Sequence, residues 1–178
     1  MLDQRIIAVF SVSLLGACTL SAPQFEQLFE SASAVFTNQS SESDDNKWTA
    51  ETNSQGRVVS LYQRDGMFVF ISEEQDVIVF DGWVLRSVSG FGFSSTKKIL
   101  DEDGHRTYRS RGRSSAPVEC DAWRPDQTTV ASLWRQSCAQ LPQDSLITLD
   151  ASGDVVSIRQ VIDAQGNELL LKRVGWSN

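Results

Sequence analysis

From Arg57 onward the chain alternates apolar and polar residues with the period of two expected of half-buried strands. Arg57–Gln63 (RVVSLYQ) alternates, Arg64-Asp65-Gly66 reverses the chain, and Met67–Ser72 (MFVFIS) returns. Val77–Phe80 (VIVF) runs into Asp81-Gly82 and then Trp83–Ser89 (WVLRSVS). Asp-Gly between two β-rich runs is the strongest short-range hairpin signal. Asp101-Glu102-Asp103-Gly104 makes a further turn before His105–Arg111 (HRTYRSR). Thr128–Gln136, Ser145–Leu149, Val155–Ile162 and Glu168–Val174 complete the pattern, the last three separated by Ser152-Gly153-Asp154 and Gln165-Gly166-Asn167. The pattern predicts about nine or ten strands in consecutive hairpins. With no crossover helices between them, the expected fold is an all-β antiparallel meander. A meander of this length has to curl into a half-barrel, a barrel or a sandwich to protect its edges. One β domain is expected over residues 48–178.

Upstream the period changes. Phe25, Leu28, Phe29, Ala32 and Phe36 recur at helical spacing behind Pro23, which predicts one short N-terminal helix. Its polar face carries Glu26 and Glu30 rather than lysines, which favours packing on protein over lying on a bilayer. Thr37–Lys47 (TNQSSESDDNK) is polar and acidic and reads as a linker. Before the helix, Arg5 precedes an apolar run from Ile6 to Leu15, far short of the roughly 20 residues of a spanning helix. The run ends in Leu14-Leu15-Gly16-Ala17-Cys18, which resembles the box read by the bacterial lipoprotein signal peptidase. Residues 1–17 are then a removed signal peptide, and Cys18 is the lipidated first residue of a segment 18–47 that tethers the domain to a membrane. Acyl chains contribute about 0.8 kcal/mol per buried CH₂, so two or three of them anchor durably. Thr19, where an Asp would hold such a protein at the inner membrane of enteric-type bacteria, points to the outer membrane with the body in the periplasm.

This compartment changes the reading of the cysteines. With Cys18 taken by lipid, Cys120 and Cys138 are left as a pair, and in an oxidising compartment such a pair reads as a disulfide. The alternatives are free thiols or half a metal site; one histidine, His105, and no CxxC argue against metal. The net charge of −7 makes nucleic acid an improbable partner.

Little in the sequence suggests catalysis. Asp101, Glu102 and Asp103 have the wrong spacing for a calcium loop. There is no GxSxG elbow, no HExxH and no nucleophilic cysteine outside the pair, so a non-enzymatic protein without a cofactor is expected. The one basic concentration is Arg106, Arg109, Arg111 and Arg113. An extended strand would place Arg109, Arg111 and Arg113 on one face, where their forks suit an anionic sugar polymer or a lipid head group. A solvated face balanced by nearby acids is the favoured alternative. Of the five tryptophans, Trp83 and Trp134 lie in apolar strands and suit a core, whereas Trp48, Trp123 and Trp176 border loops or the chain end and are the better binding candidates.

The lipobox, the polar spacer and the stretch Val77–Gly90, with Asp81-Gly82 followed by Arg86-Ser87 and Gly90, together resemble the YjbF/GfcB lipoproteins. The hairpin Leu146–Arg159, with Asp150, Gly153-Asp154 and Ser157-Ile158-Arg159-Gln160, resembles that family's late hairpin. The resemblance implies an outer-membrane lipoprotein made alongside exopolysaccharide or group 4 capsule machinery. Its partner would be an anionic polysaccharide or an export protein. A second reading is a half-barrel that handles lipid or lipoprotein. A polysaccharide binder should present polar groups and tryptophan on its concave face; a lipid carrier should have a dry groove lined by residues such as Phe68, Phe70 and Phe80.

Overall fold

The computed structural model describes residues 46–53, 55–126 and 132–176. Cys18, the apolar run before it, the helical pattern at residues 23–36 and nearly all of the linker lie outside them.

The described residues form fourteen strands: β1 (Lys47–Thr52), β2 (Gly56–Arg64), β3 (Met67–Ser72), β4 (Val77–Phe80), β5 (Leu85–Ser89), β6 (Lys97–Glu102), β7 (His105–Ser110), β8 (Arg113–Ser114), β9 (Val118–Glu119), β10 (Arg124–Pro125), β11 (Ser132–Gln136), β12 (Ser145–Leu149), β13 (Val155–Val161) and β14 (Glu168–Arg173). They make one antiparallel sheet in the order β10-β11-β12-β13-β14-β1-β2-β3-β4-β5-β6-β7-β8, with β9 also paired to β7. The expected all-β meander is present, and the first and last described strands are neighbours within it. Trp48 lies opposite Arg173 on one side and Val59 on the other.

Several hairpins close as their turn residues require. Asp65-Gly66, Asp103-Gly104 and Arg111-Gly112 each have positive φ at both positions, from 51° to 75°. That geometry matches the twist of two-residue hairpins, and glycine adopts it without a Cβ clash.

Alternation sets the core. Trp48 and Ala50, Ile78 and Phe80, and Leu169 and Leu171 are buried at i, i+2 spacing, as are Val156, Ile158 and Gln160 of β13. The sheet curls so that strands distant in its order meet inside. Gln160 of β13 accepts a hydrogen bond from Leu85 N (3.0 Å) and donates one to Trp83 O (2.6 Å). Lys97 of β6 pairs with Asp163, just past β13, at 3.0 Å.

The curl is fastened on one side. Past β9, Cys120 pairs as an isolated antiparallel bridge with Cys138, beyond β11, and the two are joined by the expected disulfide. Hydrogen bonds from Asp121 N to Ser137 O (2.8 Å) and from Ala139 N to Glu119 O (2.7 Å) flank it. The bond therefore joins the β7/β9 flank to the β10/β11 flank, which are the two ends of the sheet's strand order.

Beneath this seam Arg106 is fully buried. Its Nε and Nη2 donate to Asp101, Nη2 also to Gln136 Oε1 (2.7 Å), and Nη1 to Ser145 Oγ (3.3 Å). Gln136 in turn donates to Asp121 O at 2.9 Å. A guanidinium this deep is tolerable because its charge is paired and its donors are satisfied.

Candidate functional site

The four arginines divide three ways. Arg106 belongs to the internal network and is not available to a ligand. Arg109, Arg111 and Arg113 do not share a strand face, because Arg111-Gly112 is a turn and the chain doubles back through it. Arg109 lies opposite Ser114, and Arg113 opposite Ser110. Directly opposed residues share a face while successive residues alternate. Arg113 therefore stands on the side of Ser110 and Tyr108, and Arg109 on the other. Arg113 belongs to a concavity of about 290 Å³ whose lining includes Lys97, Tyr108, Arg109, Ser110 and Gln165.

The tryptophans also redistribute. Trp48 is buried and meets Phe70 edge-on at 5.2 Å, so it is a core residue rather than a surface binder. Trp176 is half-buried with Lys172 Nζ 5.4 Å from its ring centre. Trp83, expected in the core, is 44% exposed, because β5 begins only at Leu85 and Trp83 belongs to the preceding turn. Trp123 and Trp134 are half-buried beside it, with ring centres 5.7 and 5.2 Å from that of Trp83.

The turn that carries Trp83 is held from both sides. Asp81 Oδ1 accepts from Trp83 N (2.8 Å) and Val84 N (2.7 Å), and Asp81 Oδ2 accepts from Arg86 Nε (2.7 Å). The buried Gln160 holds the Trp83 carbonyl from within. Most of the Asp81–Gly90 stretch is thus explained by local structure. Gly90 has φ of 84°, and a Cβ there would lie 2.9 Å from Asp76 Cα, where Asp76 Oδ1 accepts from Phe91 N (2.7 Å). The indole of Trp83 packs edge-on against Trp134 and beside Trp123 while leaving part of its surface to solvent.

A second concavity of about 250 Å³ opens among β1–β4 and β13, lined by Trp48, Leu61, Phe68, Phe70, Phe80 and Ile158, with Asn46, Asp154 and Arg173 among its polar members. The indole Nε1–H of Trp48 is buried there without a partner among the described residues. Asp154 belongs to the Asp150 turn, and Arg173, at the end of β14, reaches that turn through its bond to Asp150. Asp150 accepts from Ser152 Oγ, Ser152 N, Asp154 N and Arg173 Nη2, and these donors hold its carboxyl well below the usual carboxylate range. Among the described residues, no group of three histidine, cysteine or acidic side chains converges as a metal site would require.

Sequence reasoning missed Lys97, Asp163 and Gln160 as parts of these sites. Their contacts lie between strands far apart in the chain and leave no local signal. Trp83 did carry one: it directly follows Asp-Gly, and a residue there belongs to the turn.

No protein-family model matches the chain, and no curated protein does either. Among solved structures, it is similar to the crystal structure of the hypothetical lipoprotein YmcC from Escherichia coli K12. The likeness has a TM-score of 0.54 at 13% identity and covers 84% of this chain and 95% of YmcC. At that identity it is a likeness of fold.

Proposed function

We propose that this protein is a non-enzymatic lipoprotein, acylated at Cys18 and held at the outer membrane with its β body in the periplasm. There it would be accessory to exopolysaccharide or capsule assembly or export. The lipobox ending at Cys18 supports the anchor, and the fold shared with a chain described as a lipoprotein agrees with it. The observation that carries the accessory role is Trp83. A large aromatic on a turn held by Asp81, Arg86 and Gln160, beside Trp123 and Trp134, is a preorganised platform on which a sugar ring can stack.

Tryptophan fluorescence of the full-length protein in uncharged detergent, titrated with exported polymer from the producing strain, tests this reading. Saturable quenching that Trp83→Ala abolishes is the expected result. A Trp83→Ala variant that binds as wild type would refute the platform. Cys18→Ser should release the protein from the membrane fraction, and its retention there would refute the anchor.

The apolar concavity favours a second reading, a half-barrel that handles a lipid or the acyl group of another lipoprotein. Phe68, Phe70 and Phe80 line it as that reading requires. Its volume of about 250 Å³ is less than the roughly 300–1,000 Å³ of ligand clefts, which disfavours an acyl-chain occupant. An N-phenylnaphthylamine probe that brightens on binding, and fails to with Phe70→Asp, would reverse the order.

A further inference from the structure

We infer that the concavity between β6–β8 and the Asp163–Gln165 segment is a subsite for an oxyanion, filled by the carboxylate of an acidic saccharide. The saccharide identity rests on the polymer reading above; the oxyanion site does not.

The first observation is where the chain leaves its positive charge unpaired. Among the described arginines, Arg57, Arg64, Arg86, Arg106, Arg124, Arg135 and Arg173 each meet a carboxylate. Of the arginines that meet no carboxylate among the described residues, Arg109, Arg111 and Arg113 cluster on one hairpin of a chain with net charge −7, while Arg159 stands alone on β13. Acids are plentiful in this sequence, so unmatched guanidinium groups at one place are a local feature rather than a consequence of composition.

The second observation is the shape and lining of the site. Arg113 stands on the Tyr108 side of the hairpin and borders the concavity of about 290 Å³ with Ser110 and Gln165, whose hydroxyl and amide groups suit the hydroxyls of a sugar, while Arg109 meets its rim from the other side of the strand. The acid on its wall, Asp163, is already engaged. It is 3% exposed and accepts from Gln165 N (3.1 Å), Asn167 N (3.1 Å), Asn167 Nδ2 (2.8 Å) and Lys97 Nζ (3.0 Å). Lys97 and Asp163 cancel each other, which leaves the arginines as the uncompensated charge. Guanidinium forks bind carboxylate with charge-assisted hydrogen bonds, about twice as strong as neutral ones.

The acidic remainder of the molecule repels polyanions, so binding of an acidic polymer should concentrate at this hairpin and weaken with salt. The turn with Trp83 lies on another part of the sheet, between β4 and β5. The two sites can therefore be tested apart.

The test is calorimetric titration of the full-length protein in uncharged detergent, at low and high salt. The probes are a uronic-acid trisaccharide, a neutral trisaccharide of the same length and inorganic phosphate. The proteins are wild type, Arg109→Gln/Arg113→Gln and Trp83→Ala. The wild type should bind the uronic-acid trisaccharide in a salt-sensitive manner, and the double variant should bind it at least about tenfold more weakly with an unchanged melting temperature. Both substituted side chains are exposed, so the variant should fold. Equal binding by wild type and double variant, or no oxyanion binding at all, would overturn the site. Arginine-dependent binding of phosphate without trisaccharide binding would keep the oxyanion site and overturn the saccharide assignment. Loss of polymer binding in Trp83→Ala with trisaccharide binding intact would show that the two sites are separate.

Discussion

Replacing Cys120 and Cys138 together by alanine tests whether the sheet is held closed by its seam. The cysteines are 18 residues apart, so in the chain-entropy account the crosslink contributes about 3 kcal/mol. In a domain of this size that corresponds to a fall in melting temperature of about 10 °C. Both positions are buried, at 7% and 8% exposure, and alanine avoids leaving a hydroxyl unsatisfied there. The neighbouring bonds from Asp121 N to Ser137 O and from Ala139 N to Glu119 O, with Gln136 bonded to Asp121 O, should keep the seam formed in the native state. The structure should therefore persist while opening more easily. Differential scanning calorimetry of wild type, reduced wild type and the double variant reads the global effect. Hydrogen exchange at the Asp121 and Ala139 amides reads the local one, and both amides should exchange faster without the crosslink. A melting temperature that falls by less than about 3 °C, with exchange at those amides unchanged, would show that the seam closes without help from the bond.

Arg106→Ala should destabilise the protein by roughly 3–5 kcal/mol, because it leaves Asp101 and Gln136 facing an empty interior, whereas Arg106→Met should recover a substantial part of that loss. Urea midpoints distinguish the two, and equal midpoints would refute the role assigned to the network. The protein should also lose stability in acid. Burial alone would raise the Asp163 carboxyl, but hydrogen bonds from Asn167 and Lys97 outweigh it and hold the group below its ordinary value; Arg135 does the same for Asp144. A carboxylate whose folded value is depressed binds its proton more readily in the unfolded chain. Its stabilisation is therefore complete above about pH 4 and is lost as the pH falls further. Melting temperatures should be level from about pH 7 to 5 and decline below about 4, less steeply in Asp163→Asn; an unchanged slope in that variant would refute the assignment to Asp163.

The hairpins were legible where strand and turn signals agreed. Val77–Phe80 and Ser145–Leu149 form strands with the bounds expected of these apolar segments between turns, and Asp65-Gly66 turns as expected. β1 was hidden. Lys47–Thr52 (KWTAET) turns only Trp48 and Ala50 inward and has a composition that suits a linker as well as a strand, so it is the hydrogen bonds from β2 and β14 on either side that hold it in the sheet. β6 was hidden too, because Lys97–Glu102 buries only Ile99 fully and its charges are matched by Asp163 and Arg106, remote from it or across the hairpin. The arginine run misled because its regular spacing resembles one strand, while the glycine at 112 marks the reversal. The pairing of Cys120 with Cys138 followed from counting; that it fastens the two flanks of the sheet depends on contacts between distant segments, which periodicity does not record.

The placement of β1 between β2 and β14 has a consequence for how the molecule is made. A polypeptide threaded amino-end first, from a ribosome or through a translocation pore, delivers Lys47–Thr52 early and Glu168–Arg173 late. Until the late segment emerges, one side of the early strand has no hydrogen-bonding neighbour, and Trp48 and Ala50 wait beside an unfinished interior. Such distant pairing makes assembly slow and keeps the incomplete chain open to chaperones or proteases. Maturation is thus gated by arrival of the carboxyl-terminal strand.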